Sequence, residues 1–200
     1  MVRTGRLEAF SDGVLAIIIT IMVLELKPPD GERLGDLVHS SGVGLLTYLL
    51  SFVYVGIYWT NHHHMFHLVR RIGGGVPWAN LGLLFCLSLF PFTTAWIDES
   101  RFARTPVIVY GVNLLAAAVA YVILQNLIIK QQGDGSPLRE AVGSDLKGKA
   151  SAVVDLLGIL GALVFGPVIA MACYGVVAIL WVVPDRRVAR VIRRLEDGVT

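Results

Sequence analysis

The stretch AFSDGVLAIIITIMVLEL, residues 9–26, decides the fold. A hydrocarbon core about 30 Å thick is crossed by roughly 20 apolar residues at about 1.5 Å each. This run is slightly short of that and carries Asp12 near one end and Glu25 near the other. It stops at Lys27-Pro28-Pro29, where proline ends a helix. Arg3 and Arg6 precede it, as basic residues precede the apolar core of a secretory signal. No small-x-small cleavage pattern follows, and more apolar runs come after it, so it reads as a retained first span.

Working outward, the next apolar run is 43–61, followed by His62-His63-His64. The third, 76–97, contains Pro91, which predicts a kink. The fourth, 106–129, opens on a proline. A polar connection, 130–149, carries Gly133, Gly135, Gly143 and Gly148. The last apolar stretch, 151–183, is too long for one helix and tight for two, and Gly166-Pro167 is its natural break. Spans at 151–165 and 167–183 follow from that break; one long kinked helix is the alternative. The expectation is an all-α polytopic membrane protein with six transmembrane helices in a domain over 1–183. Composition agrees: 55% of residues are apolar and 16% charged, mean hydropathy is +0.68, and a soluble surface needs roughly 25–35% charged residues.

Basic residues concentrate on the cytoplasmic side of membrane proteins. Six spans with both termini cytoplasmic leave only Lys27, Arg33, Arg101 and Arg104 outside, of 17 lysines and arginines. Five spans would place Arg186, Arg187, Arg190, Arg193 and Arg194 outside. The charge bias therefore favours the break at Gly166-Pro167. In the tail, 184–200, Val188, Val191, Ile192 and Leu195 share one helical face among arginines. That pattern suits a basic amphipathic helix on anionic lipid at the inner leaflet, or a contact between helices of an oligomer. It is poor grounds for a nucleic-acid role.

Ionisable groups inside a membrane face protein or water by default. The first span carries Arg6, Glu8, Ser11, Asp12, Thr20 and Glu25. Arg6 is awkwardly placed to pair with Asp12 along the helix, so the basic candidates for Glu8 and Asp12 are His62, His63 and His64, with Asn61 and Asn80 as further hydrogen-bonding groups. Asp12 either locks helices together or takes part in ion passage. His63 and His67 have the spacing of zinc ligands on a helix, but no cysteine supports them, and no metal site is expected. Cys86 and Cys173 sit in apolar runs and read as small buried hydrophobes. Ile17, Ile21 and Leu24 form a stripe beside Thr20; it faces lipid, core or a pore, and periodicity does not choose among them.

The segment Arg6-Leu7-Glu8-Ala9-Phe10-Ser11-Asp12, continuing to Leu26, resembles the first helix of the transmembrane protein 175 family of potassium channels. Arg-x-x-x-Phe-Ser-Asp is the specific part. Trp59-x-Asn61-His62-His63 with Phe66 is similar to the end of that family's second helix, Asn80 to a polar residue of its third, and Phe90-Pro91-Phe92 to a segment near the outer end of the third. The last two spans match in hydropathy alone. The resemblance implies a single-repeat prokaryotic member in the plasma membrane. It implies a homotetramer with a central pore lined by the first helix. It also implies potassium as the permeant ion with weak selectivity, sodium or protons being further possibilities, and no cofactor. By position, Ile17, Ile21 and Leu24 are the implied pore constriction and Thr20 the implied selectivity residue. Arg6, Ser11, Asp12, His62 or His63, and Asn80 are the implied polar support network.

No Thr-Val-Gly-Tyr-Gly filter and no arginine series of a voltage sensor occurs in the sequence. A secondary transporter is the main rival. It would show paired broken helices in two repeats, whereas Pro91 and Gly166-Pro167 have no counterparts in the other half. An enzyme would need acid–base or metal groups converging at one depth, which only the histidines suggest.

Overall fold

The computed structural model describes residues 4–29, 31–69, 72–133, 135–143 and 145–182. The basic tail expected over 184–200, and the anionic-lipid contact assigned to it, lie outside the described residues. The fold is all-α. In chain order the helices are α1 (Thr4–Leu24), α2 (Leu34–His67), α3 (Val76–Ser88), α4 (Phe90–Glu99), α5 (Arg104–Gln132), α6 (Pro137–Val142), α7 (Leu146–Phe165) and α8 (Pro167–Val182). Five helical stretches are long and apolar enough to cross a bilayer: α1, α2, the α3–α4 pair as one, α5 and α7. A sixth apolar helix, α8, is shorter and runs to the last described residue.

The helices depart from the sequence reading at the start of α2 and in the polar connection, and the kink expected in span three takes a definite form. Helix α2 begins at Leu34, well before Val43, because Asp36 closes its first turn: the Arg33 N–H donates to Asp36 Oδ2 at 3.0 Å. Its 34 residues make it about 51 Å long at 1.5 Å per residue, longer than the hydrocarbon core, so polar His39, Ser40 and Ser41 belong to the same helix. Span three is one stretch over Val76–Glu99, interrupted at Leu89 into α3 and α4, and the interruption falls two residues before Pro91, where the kink is expected. Pro91 lies in the first turn of α4, where its missing N–H costs nothing and where it cannot continue the ladder of α3. The polar connection contains the short α6, capped by Ser136, whose Oγ accepts from the Arg139 N–H.

The long helices alternate in direction. At one end Lys27 Nζ meets Glu99 at 3.1 Å, Ser41 Oγ donates to the Lys27 carbonyl at 2.9 Å, and Arg104 donates to the Leu163 carbonyl at 3.1 Å. At the other end Gln132 Nε2 donates to the Leu68 carbonyl at 2.8 Å, and the Gly73 N–H donates to Gln131 Oε1 at 3.2 Å. The last apolar stretch divides where the sequence breaks it. Gly166 takes φ +107°, open to glycine and strained for other residues, and α8 returns antiparallel along α7.

Tyr174 of α8 fills the space between α5 and α7 and is fully buried. A Cβ at Gly111 would overlap its hydroxyl, and one at Gly158 would lie 2.8 Å from its Cε1. Small residues let apolar helices approach where lipid supplies no hydrophobic drive to associate. Tyr54 Oη donates to the Tyr174 carbonyl at 2.8 Å. Ser51 Oγ lies 2.7 Å from Thr94 Oγ1 and 3.0 Å from Tyr110 Oη, tying α2, α4 and α5. Gly111→Ala should therefore destabilise the fold by about 1–3 kcal/mol, the usual cost of overpacking. Thermal unfolding in detergent should read this as an earlier loss of the monodisperse species; an unchanged profile would mean that Tyr174 moves aside freely.

Candidate functional site: the two faces of the first helix

Helix α1 packs against α2, α3 and α4. Leu7, Ser11, Leu15, Ile18 and Met22 are its buried residues, a stripe at three- and four-residue intervals, as helix geometry requires. Ser11 is the polar member and the centre of a continuous chain of bonds. Its hydroxyl donates to the Leu7 carbonyl at 2.8 Å and accepts from Asn80 Nδ2 at 2.9 Å. Asn80 Oδ1 in turn accepts from His62 Nε2 at 2.8 Å. All three side chains are buried, at 0%, 0% and 1% exposure. The ring of His62 lies on Phe66, with centroids 4.4 Å apart. This geometry puts the His62 proton on Nε2 and leaves Nδ1 buried without a partner.

The other residues of the implied network are distributed differently. Asp12 accepts from Trp59 Nε1 at 3.1 Å. Glu8 pairs with His63 Nδ1 at 2.8 Å, and the His63 ring stacks on Trp59 with centroids 6.3 Å apart. Glu8, rather than Asp12, therefore takes the histidine. Arg6 is exposed and joins neither set among the described residues. The reason is rotational: Arg6 projects from the side of α1 away from α2 and α3. His64 and His67 extend the ring row beyond His63. Among the described residues no three His, Cys, Asp or Glu side chains group to hold a metal ion.

The opposite face of α1 is uncovered within the chain. Ile17 is 57% exposed, Ile21 42% and Leu24 80%, and Thr20 is also exposed. At 3.6 residues per turn, Thr20 lies opposite the packed stripe, with Ile17 and Leu24 beside it and Ile21 at the flank. Ile17 and Ile21 also border a groove against Phe92, Ala95 and Trp96 of α4. Thr20 Oγ1 lies 2.9 Å from the Ile17 carbonyl and 3.1 Å from that of Ala16. Its proton is thus held by the backbone, and the hydroxyl offers lone pairs outward.

These geometries accompany clear relationships to known proteins. A sequence profile described as the endosomal/lysosomal potassium channel TMEM175 matches residues 6–91. A potassium channel of Chryseobacterium sp. (strain P1-3) is 50% identical over 189 residues, covering 94% of this chain and 97% of its own. The chain belongs to the TMEM175 family. A crystal structure described as that of a lysosomal potassium-selective channel TMEM175 homolog from Chamaesiphon minutus superposes with TM-score 0.72 at 29% identity, covering 90% of this chain and 96% of that one. The human endosomal/lysosomal proton channel TMEM175 is 36% identical over 115 residues, 50% of this chain and 22% of that one. The TMEM175 profile ends at Pro91, so it spans the helices that carry Ser11, His62 and Asn80.

Sequence reasoning missed one buried group. Asp155 of α7 is 3% exposed and makes no hydrogen bond or ion pair among the described residues; its Oδ1 is a buried acceptor without a partner. The signal was present as a lone carboxylate between apolar residues of the fifth apolar run.

Asn80→Ala removes the link between Ser11 and His62 and leaves His62 Nε2–H unpaired. Stranding a buried polar group costs about 1–3 kcal/mol. The variant should unfold at lower temperature in detergent, and Ser11→Ala should be milder because Asn80 still pairs with His62. Equal stability of Asn80→Ala and wild type would show that the chain of bonds does not hold α1.

Proposed function

We propose that this protein is a potassium-permeable, weakly selective cation channel, formed by four copies around a central pore that α1 lines. The observation that carries the reading is the two-sided character of α1. One side is fixed to α2 and α3 by buried polar groups; the other leaves Thr20, Leu24 and more than half of Ile17 exposed, with Ile17 and Ile21 at the edge of a groove against α4. Lipid could cover such a face, but family membership and relatives named as potassium channels favour four copies of α1 facing one another. A proton path is the variant suggested by the animal relatives' names.

In this reading Ile17, Ile21 and Leu24 form stacked apolar rings spanning about 10 Å of the axis. Such rings close a pore by dewetting and lost ion hydration, not by charge. Ile21, at the flank, contributes least to the narrowest point unless α1 turns slightly in the tetramer. Thr20 supplies oxygen lone pairs toward the axis and is the residue assigned to cation preference. Ser11, Asn80 and His62 act as support that sets the rotation of α1. Asp12 with Trp59, and Glu8 with His63, brace its inner end, and Arg6 is left to meet a neighbouring subunit. Six spans with both termini in the cytoplasm of a prokaryotic cell fit the alternating helix directions and the placement of basic residues. This function calls for no enzymatic step and no cofactor.

The test is potassium flux into liposomes at matched tetramer concentration, with subunit number fixed by mass measurement in a membrane mimetic. Ile17→Ala and Leu24→Ala should raise cation flux or reduce discrimination between potassium and sodium while leaving assembly intact. Thr20→Val should change preference at nearly constant size. Unchanged flux and selectivity across these variants would move the permeation path to another surface.

A further inference from the structure

A cavity of about 220 Å³ lies among α2, α5, α7 and α8, away from the exposed face of α1. It exceeds the roughly 150 Å³ apolar cavity that admits benzene in a protein core. Val119 and Ile123 line it and are half exposed, so it opens through the outer surface of α5. Asp155 lies at its inner wall, about 15 Å along α7 from Asp145 at 1.5 Å per residue. That depth is near the middle of a hydrocarbon core about 30 Å thick.

Four other polar side chains of the wall are already engaged. Tyr54 Oη donates to the Tyr174 carbonyl. Asn61 Nδ2 donates to the Ile57 carbonyl at 2.8 Å. Ser151 Oγ donates to the Lys147 carbonyl at 2.8 Å and accepts from Trp181 Nε1 at 2.7 Å. Asp155 is a carboxyl group nine-tenths buried with no partner among the described residues. A lone buried carboxylate is costly until it meets a cation.

A bare metal ion would need a shell of oxygen ligands, and these engaged groups do not form one. An organic ammonium needs less: one carboxylate for its charge, aromatic faces, and apolar walls for its body. Tyr58 and Tyr121 line the cavity edge to face, with centroids 6.1 Å apart. Trp181, whose ring carries Lys147 Nζ at 5.1 Å from its centroid, adds a third aromatic side chain to the lining. Asp145, also in the lining, adds a second carboxylate.

We propose that this cavity is a binding site for a small amphiphilic monocation, a protonated amine carrying an apolar or single-ring body, with Asp155 as its counter-charge. The amine reaches it from the bilayer through the flank of α5, and the site is separate from the pore.

The test uses benzylammonium chloride and its neutral counterpart benzyl alcohol, titrated calorimetrically into purified protein in detergent, with empty micelles as the blank. Wild type should bind benzylammonium saturably. Asp155→Asn, which keeps the shape, should weaken that affinity at least about tenfold, as expected when a charged hydrogen bond is lost, and leave benzyl alcohol unaffected. Ala118→Trp fills the cavity with Asp155 intact and should abolish benzylammonium binding. No saturable binding above the blank, equal affinity in Asp155→Asn, or wild-type binding in Ala118→Trp would each overturn the proposal. Binding is read without ion flux, so neither result depends on the pore assignment.

Discussion

The bond chain from the Leu7 carbonyl through Ser11 and Asn80 to His62 is the constraint on which the rest of the molecule depends. An apolar helix in lipid has no hydrophobic reason to show one face rather than another, because the tails are as apolar as its leucines. Helix α1 is apolar almost all round. What selects its rotation is a polar group with few places to go: turned by one residue, about 100°, Ser11 would lose Asn80 and Asn80 would be stranded beside His62. The same choice turns Thr20 and Leu24 outward. The exposed face of α1 is thus a consequence of a bond on its opposite side.

The second half of the molecule is held by different means. Around Tyr174 the helices meet through a large buried side chain received by Gly111 and Gly158, with Ser51, Thr94 and Tyr110 satisfying one another's hydroxyls nearby and Tyr54 donating to the Tyr174 carbonyl. Shape rather than a specific pairing sets this contact. The place where shape is incomplete is the cavity beside Asp155. An unfilled volume and an unpaired carboxyl at one point are either a packing cost or a place kept for something else, and the chemistry of the walls gives the second possibility a definite form.

Much of this was legible in the sequence, and the rest was not for identifiable reasons. Apolar length marked the helices, and Gly166-Pro167 marked the turn from α7 to α8, because a glycine at positive φ followed by a proline leaves few other conformations. The start of α2 was hidden because hydropathy reports the lipid-crossing part of a helix and not its polar extension. The pairing of Glu8 with His63 and of Asp12 with Trp59 could not be read, since two carboxylates on adjacent turns compete for the same partners and only the relative rotation of α1 and α2 decides between them. Tyr174 was invisible for a further reason: a tyrosine in an apolar run becomes notable only once its neighbours are placed, whereas Asp155 was visible as a lone acid but its lack of a partner was not.

The central claim is the proposal that the face of α1 turned away from Ser11 lines the permeation path at the centre of an assembly of four copies, with Leu24 at the end of the constriction reached from the outer side. It is tested most directly by water accessibility at Leu24. In a background where Cys86 and Cys173 are replaced by alanine, Leu24→Cys in liposomes is treated with a charged, membrane-impermeant thiol reagent while potassium flux is recorded. The account predicts that Leu24→Cys is modified and that flux falls as modification proceeds. A thiol at position 24 that stays unmodified, or whose complete modification leaves flux unchanged, would contradict it.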